Sequence, residues 1–128
     1  MTDSIRISWA NTIADEVRQS AELSLNELLA KAEPWFEQGF VSNARFSGDR
    51  LEKLKQWLQD VALPKLKQSG EIGQEAWSYL TDPDTLLNKD RIAAIFLAFC
   101  VIAGWQNLDP STATAVIVLL IKLKNPKG

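Results

Sequence analysis

The first part of this 128-residue chain places apolar residues three and four positions apart, which is the repeat of one helical face. This spacing predicts a single long amphipathic helix from Ile5 to about Ala32. Glu33-Pro34 should end it, because a residue before proline is disfavoured in helical geometry. An aromatic-rich stretch follows and predicts a short helix and a loop anchored on the core. The anchoring side chains are Trp35, Phe36, Phe40 and Phe46.

A second helix is predicted to begin at Asp49, since Glu52 three positions later completes the pattern of a capping box. Behind this start, Leu51, Leu54, Leu58 and Val61 line one face. Pro64 should kink or break the helix, and Gly70 gives a stop.

The later segments also carry helix signals. Residues 71–80 predict a short helix whose core face uses Ile72, Ala76, Trp77 and Leu80. Asp-Pro pairs at 82–83 and 109–110 each place an N-cap acceptor before a proline suited to the first helical position.

Two segments near the C-terminus are strongly apolar. Residues 90–103 are apolar almost all round, which predicts a central helix closed by Gly104 and surrounded by the others. Residues 113–124 suit either a helix or a buried strand, because they are rich in β-branched side chains. The Asp-Pro start and the lack of a pairing strand favour helix. The sum is an all-α, single-domain bundle over residues 1–128, with five to six helices around a central apolar helix at about 90–104.

Composition excludes several kinds of function. The chain has no histidine, one cysteine, and 14 basic against 16 acidic residues, so histidine-based catalysis and multi-thiolate metal sites are excluded. Cys100 lies in the most apolar segment and is interpreted as a small buried hydrophobe. The carboxylates of 82–90 are interpreted as helix-start charges rather than metal ligands. We therefore expect no enzyme activity, no cofactor and no metal.

The N-terminus lacks the basic and apolar regions of a signal peptide, and a single cysteine is typical of a reducing compartment, so a cytoplasmic location is expected. The apolar runs at 92–105 and 113–121 are shorter than the ~20 residues that span a bilayer. A hairpin dipping into a membrane remains a less favoured alternative.

The charges are unevenly distributed. Residues 1–37 hold three basic and seven acidic groups, whereas 45–67 hold six basic and three acidic, and the segment from Lys122 onward holds three lysines and no acid. If the two basic regions meet, they would form a groove for a phosphate backbone. Trp57 at its edge would stack on an unpaired base, although a core position is the favoured interpretation of that residue. The candidate nucleic-acid-binding residues are Arg45, Arg50, Lys53, Lys65, Lys67, Lys122 and Lys124.

The stretch FSGDRLEKLKQWL, a basic amphipathic helix, leads to KDRIAAIFLAFCVIAGW, a deeply apolar one. This organisation resembles the small helical subunit of CRISPR effector complexes of type I-D and related systems. That subunit is similar to the C-terminal domain of the large subunit and can arise by internal translation.

The resemblance implies a non-enzymatic subunit that contacts single-stranded DNA or RNA backbone, copies of itself and other subunits, with no small-molecule substrate and no membrane. It implies contacts by Arg45, Arg50, Lys53, Lys65 and Lys67, with the C-terminal lysines as a second set. The alternative is a protein-interaction module without a nucleic-acid role, which would bind through its acidic first helix and aromatic linker.

Overall fold

A computed structural model describes residues 12, 16–38, 48–105 and 108–125. These residues form seven α-helices, one π-helical segment and one 3-10 segment, and no strand occurs among them, which confirms the all-α class. Residues 16–21 are also helical. In chain order the elements are α1 (Leu25–Lys31), α2 (Glu33–Glu37), α3 (Arg50–Trp57), the π segment (Leu58–Ala62), α4 (Leu63–Gln68), α5 (Gly70–Leu80), the 3-10 segment (Pro83–Leu87), α6 (Lys89–Ala103) and α7 (Pro110–Lys124).

The prediction of one helix as far as Ala32 is wrong, because the chain leaves the helix at 22–24 and begins α1 after Ser24. The Ser24 hydroxyl accepts from the Glu27 N–H at 3.2 Å, and the Glu27 carboxylate accepts from the Ser24 N–H at 3.2 Å. This reciprocal capping box satisfies backbone donors that would otherwise require a continuous helix. Most of the predicted start, up to residue 15, lies outside the described residues.

Proline starts α2 rather than only ending the helix before it. Pro34 lies in the first turn of α2, where its missing N–H costs no hydrogen bond. Trp35 and Phe36 are buried, which confirms that they anchor this connection on the core. Phe40 and Phe46 lie outside the described residues.

Asp49 caps α3 as predicted, because its carboxylate accepts from the Glu52 N–H at 2.9 Å. Pro64 was predicted to kink or break the helix, and it does not break it: the helical path runs from residue 50 to residue 68, with a local change to π geometry at Leu58–Ala62 just before the proline. The Leu63 N–H bonds to the Leu58 carbonyl five residues back. This wider turn relieves the clash between a proline ring and the carbonyl four residues before it. Gly70, with φ +65°, follows α4 at the predicted stop.

The central helix is α7 rather than the predicted segment at 90–104. Every residue from Thr112 to Ile121 is buried, and α7 packs on α1, α2, α5, α6 and the 3-10 segment. The α6 helix is buried on one side and exposes Val101. Apolar side chains are common on protein surfaces, so a helix that is apolar on all sides can still be partly exposed. Apolarity alone therefore does not identify the helix that the others surround. The alternative of a strand at 113–124 is resolved in favour of helix, which Asp109 caps by accepting from the Thr112 N–H at 3.1 Å.

The α5 and α6 helices are antiparallel neighbours. At one end, Arg91 in the first turn of α6 donates to Asp82 just after α5, with 2.8 Å between Nη1 and Oδ2. At the other end, Lys65 of α4 donates to the Ile102 carbonyl at 3.3 Å. Ala76 and Leu80 of α5 are buried as predicted, whereas the prediction for Ile72 is wrong, because its side chain is 51% exposed near the start of α5.

Four aromatic side chains form a cluster within the core. The Trp105 ring lies 4.6 Å from the Phe99 ring and stacks on Trp57 at 6.1 Å, while Trp35 meets Trp57 edge-on at 5.0 Å, all measured between ring centroids. These four side chains come from α2, α3, α6 and the residue after Gly104. The cluster therefore joins the N-terminal third of the chain to α6.

Candidate nucleic-acid interface

The structure distributes the predicted binding residues over several parts of the surface. Arg50 forms an ion pair with Glu33, and its guanidinium lies 4.8 Å from the centroid of the Phe36 ring. Arg50 therefore joins α3 to α2. Lys53 is half-buried on α3, and Arg45 lies outside the described residues.

Two more of the predicted lysines contact backbone carbonyls at helix ends. The Lys65 ammonium donates to the Ile102 carbonyl at the end of α6, and the Lys122 ammonium donates to the Leu23 carbonyl at 3.0 Å. Both contacts fix neighbouring segments of the bundle. Lys67 is exposed on α4.

Lys124 is the predicted residue that the structure places beside a second lysine in a cleft. The cleft has a volume of about 280 Å³, and it is lined by Lys124 and by Lys55 from the last turn of α3. The two residues are 69 positions apart in the chain. The complete lining is Lys55, Leu58, Gln59, Leu63, Trp77, Leu123 and Lys124, hereafter the lysine cleft.

Local structure explains why these side chains converge. The π segment adds a residue to the turn between α3 and α4, and it contributes Leu58 and Gln59 to the cleft. Asn125 fixes the end of α7 against α5, because its side-chain amide donates to the Leu80 carbonyl at 3.0 Å. This contact holds Lys124 close to Trp77 of α5, with 4.8 Å from the ammonium nitrogen to the ring centroid.

Both cleft lysines have weak existing partners. Lys55 and Glu52 form an ion pair at 3.6 Å in which each side chain is about half exposed (50% and 56%). Exposed pairs of this kind contribute roughly 0–1 kcal/mol, so an anionic ligand can replace Glu52 at small cost. The partner of Lys124 is the Trp77 ring. Lys124 also lies in the last turn of α7, where the helix dipole favours a cation.

Sequence reasoning missed Lys55 and Trp77 as site residues. Lys55 belongs to the basic segment of α3, but a lysine at this spacing is typical of any solvent-exposed helix face. The sequence therefore gives no sign that Lys55 lines a cleft. Trp77 was interpreted as core, and it is in fact half-buried beside Lys124. Trp57 is buried in the aromatic cluster, 3% exposed, which confirms the core interpretation and excludes it as a stacking surface.

Two other ionisable groups, the Cys100 thiol and the Asp82 carboxylate, have roles in the structure of the bundle. Burial raises the pKa of the Cys100 thiol to about 11, so its reactive thiolate form is scarce near neutral pH. The backbone N–H of Asp84, followed by the Arg91 guanidinium, lowers the pKa of Asp82, which accepts hydrogen bonds from both. Within the described ranges, no three cysteine or carboxylate side chains cluster as a metal site would require.

No protein-family model, curated protein or solved structure matches this chain. Among the residues that the structure describes, each helix is too short or too polar to cross a bilayer.

Proposed function

We propose that this chain is a non-enzymatic small subunit of an RNA-guided complex of the CRISPR effector type, and that it contacts nucleic-acid backbone and neighbouring subunits. The observation that carries the proposal is the convergence of Lys55 and Lys124 on one cleft. The sequence resemblance supports the type of complex, and the lysine cleft supports the contact with phosphates.

Phosphate binding suits the cleft for electrostatic reasons. Its two ammonium groups are supplied by separate helices, and the carboxylate beside Lys55 is exposed and weakly paired. Lysine binds phosphate as a point charge, without the bidentate geometry that an arginine would impose. Contact with the backbone would therefore be weak, insensitive to sequence and strongly dependent on salt.

We expect the double variant Lys55→Glu/Lys124→Glu to bind single-stranded oligonucleotides more weakly and with less salt dependence. Each phosphate contact to a single strand contributes about 0.7 to the slope of log K against log salt concentration, so losing two contacts lowers the slope by about 1.4. Fluorescence anisotropy over a salt series measures both the affinity and the slope.

The matched control is Arg18→Glu/Lys89→Glu, which changes the net charge equally at another surface groove, lined by both of these residues. If the control pair lowers affinity and slope as much as the cleft pair does, overall charge explains binding and the cleft has no special role. Circular dichroism of both variants verifies that the helical fold is retained.

A second candidate function is a protein-interaction module without a nucleic-acid role. Its aromatic-linker version is weakened because Trp35 and Phe36 are buried. A different surface favours it: Ile72 near the start of α5 and Val101 near the end of α6 are 51% and 69% exposed. Because these helices are antiparallel, both residues lie toward the same end of the pair, and the second candidate function is that another copy of the chain covers them.

For this second candidate we expect Ile72→Asp/Val101→Asp to abolish concentration-dependent association in sedimentation velocity, since each new carboxylate would have to be buried at the interface. The matched control is Leu87→Asp, which changes another exposed apolar residue, 87% exposed, in the 3-10 segment. A wild-type chain that sediments as a monomer over the whole concentration series would contradict self-association through this surface.

A further inference from the structure

The lysine cleft contains an aromatic ring as well as cations. Trp77 is half-buried, and apolar side chains of Leu58, Leu63 and Leu123 share the cleft with it. The tryptophans at 35, 57 and 105 are all buried, so in the described parts of the chain Trp77 is the tryptophan that keeps part of its side chain exposed. Phosphate binding alone does not require an indole ring or apolar side chains in the lysine cleft.

We infer that Trp77 is a stacking platform for one unpaired nucleobase, while Lys55 and Lys124 bind the phosphates on either side of that nucleotide. The inference rests on the proposed contact with nucleic acid and specifies its form. The cleft selects single-stranded regions, because bases within a duplex are already stacked on one another and do not present a free face.

The present partner of the Trp77 ring is replaceable. Lys124 lies over it as a cation–π partner at 4.8 Å. An exposed interaction of this kind contributes roughly 2- to 5-fold to an equilibrium constant, whereas stacking a base on an aromatic side chain contributes roughly 5- to 150-fold. A base is therefore the stronger partner. The displaced ammonium moves to the flanking phosphate, so its charge is used in the bound state as well.

The size of the cleft limits the ligand. Pockets for small organic ligands have volumes of about 300–1,000 Å³, and this cleft of about 280 Å³ is just below that range. A cleft of this size suits a small ligand such as a single base. Gln59 at the cleft offers an amide donor and an amide acceptor, which together suit the polar edge of any base rather than one particular base.

The test compares two short oligonucleotides of equal length and charge, an oligothymidylate and its abasic counterpart with the same backbone. We expect the wild-type chain to bind the oligothymidylate roughly 5- to 150-fold more tightly. Trp77→Leu should remove this preference and leave the salt slope unchanged, because the lysines remain. Trp77→Phe should retain part of the preference.

The matched control is Tyr79→Leu, which changes a half-buried aromatic residue on the same helix whose ring lies under Arg91. It should leave the preference for bases intact. Thermal unfolding monitors the fold of each variant, and if Trp77→Leu fails to fold, the wild-type ratio and the Trp77→Phe ratio decide the question.

The outcomes separate the inference from the proposed function. Equal wild-type binding of the two oligonucleotides, with a normal salt slope, would overturn the stacking platform and leave backbone contact standing. A preference that survives in Trp77→Phe and Trp77→Leu at full strength would also overturn it. Absence of salt-dependent binding to either oligonucleotide would overturn both.

Discussion

Trp105→Ala is expected to lower the free energy of unfolding by about 3–5 kcal/mol, the usual cost of deleting a fully buried tryptophan side chain. Trp105 is 0% exposed and contacts rings from three separate segments, Phe99, Trp57 and Trp35. The loss combines removed apolar burial with a cavity that rigid neighbouring rings cannot fill. Since small domains have a total stability of about 5–15 kcal/mol, a large share would be lost.

Urea denaturation followed by circular dichroism measures this effect as a lower midpoint with an unchanged slope. The matched control is Trp77→Ala, which removes the same side chain from a half-buried position and should cost much less. Midpoints that fall equally in the two variants would show that the aromatic cluster does not have the central role assigned to it.

Gly73→Ala is expected to destabilise the chain by roughly 3 kcal/mol, the upper part of the range for overpacking a core. Helix propensity alone gives the opposite sign, because alanine stabilises a helix interior by about 1 kcal/mol relative to glycine. The close approach of α4 decides the outcome. A Cβ on Gly73 would overlap the Leu66 carbonyl group, with 2.7 Å to its carbon atom, and this group is backbone and cannot rotate away.

The measurement is again the urea midpoint, with Gln74→Ala as the matched control on the exposed side of the same helix. That control should stay within about 0.5 kcal/mol of the wild type. A stabilised Gly73→Ala variant would mean that α4 and α5 are farther apart than described.

Local signals in the sequence correctly predicted helix starts where the N-cap and its partner N–H are no more than three positions apart. Asp49, Asp82 and Asp109 all act as N-caps, as predicted, because the acceptor and the N–H that it binds are fixed by the backbone of a single turn. Ser24 and Glu27 form the same kind of local cap, but the apolar repeat continues across them and predicted one uninterrupted helix instead.

The candidate site was less accessible to sequence reasoning. Lys124 was predicted as part of a basic groove, but its partners Lys55 and Trp77 belong to α3 and α5, and no local pattern links them to the end of α7. Arg50 was also predicted for the groove, yet its ion pair with Glu33 of α2 gives it a structural role. Charge counts along the chain do not reveal which cations the fold uses internally.

The sequence by itself determined that the chain is helical, where most of its helices begin, and that Cys100 lies in an apolar environment, because caps, prolines and apolar spacing act over a few residues. Tertiary structure alone decided that α7 rather than α6 is surrounded, that Gly73 permits α4 and α5 to touch, and that Lys55, Trp77 and Lys124 share a cleft. Each of these depends on which faces meet across distant parts of the chain, and many apolar faces satisfy the same local pattern.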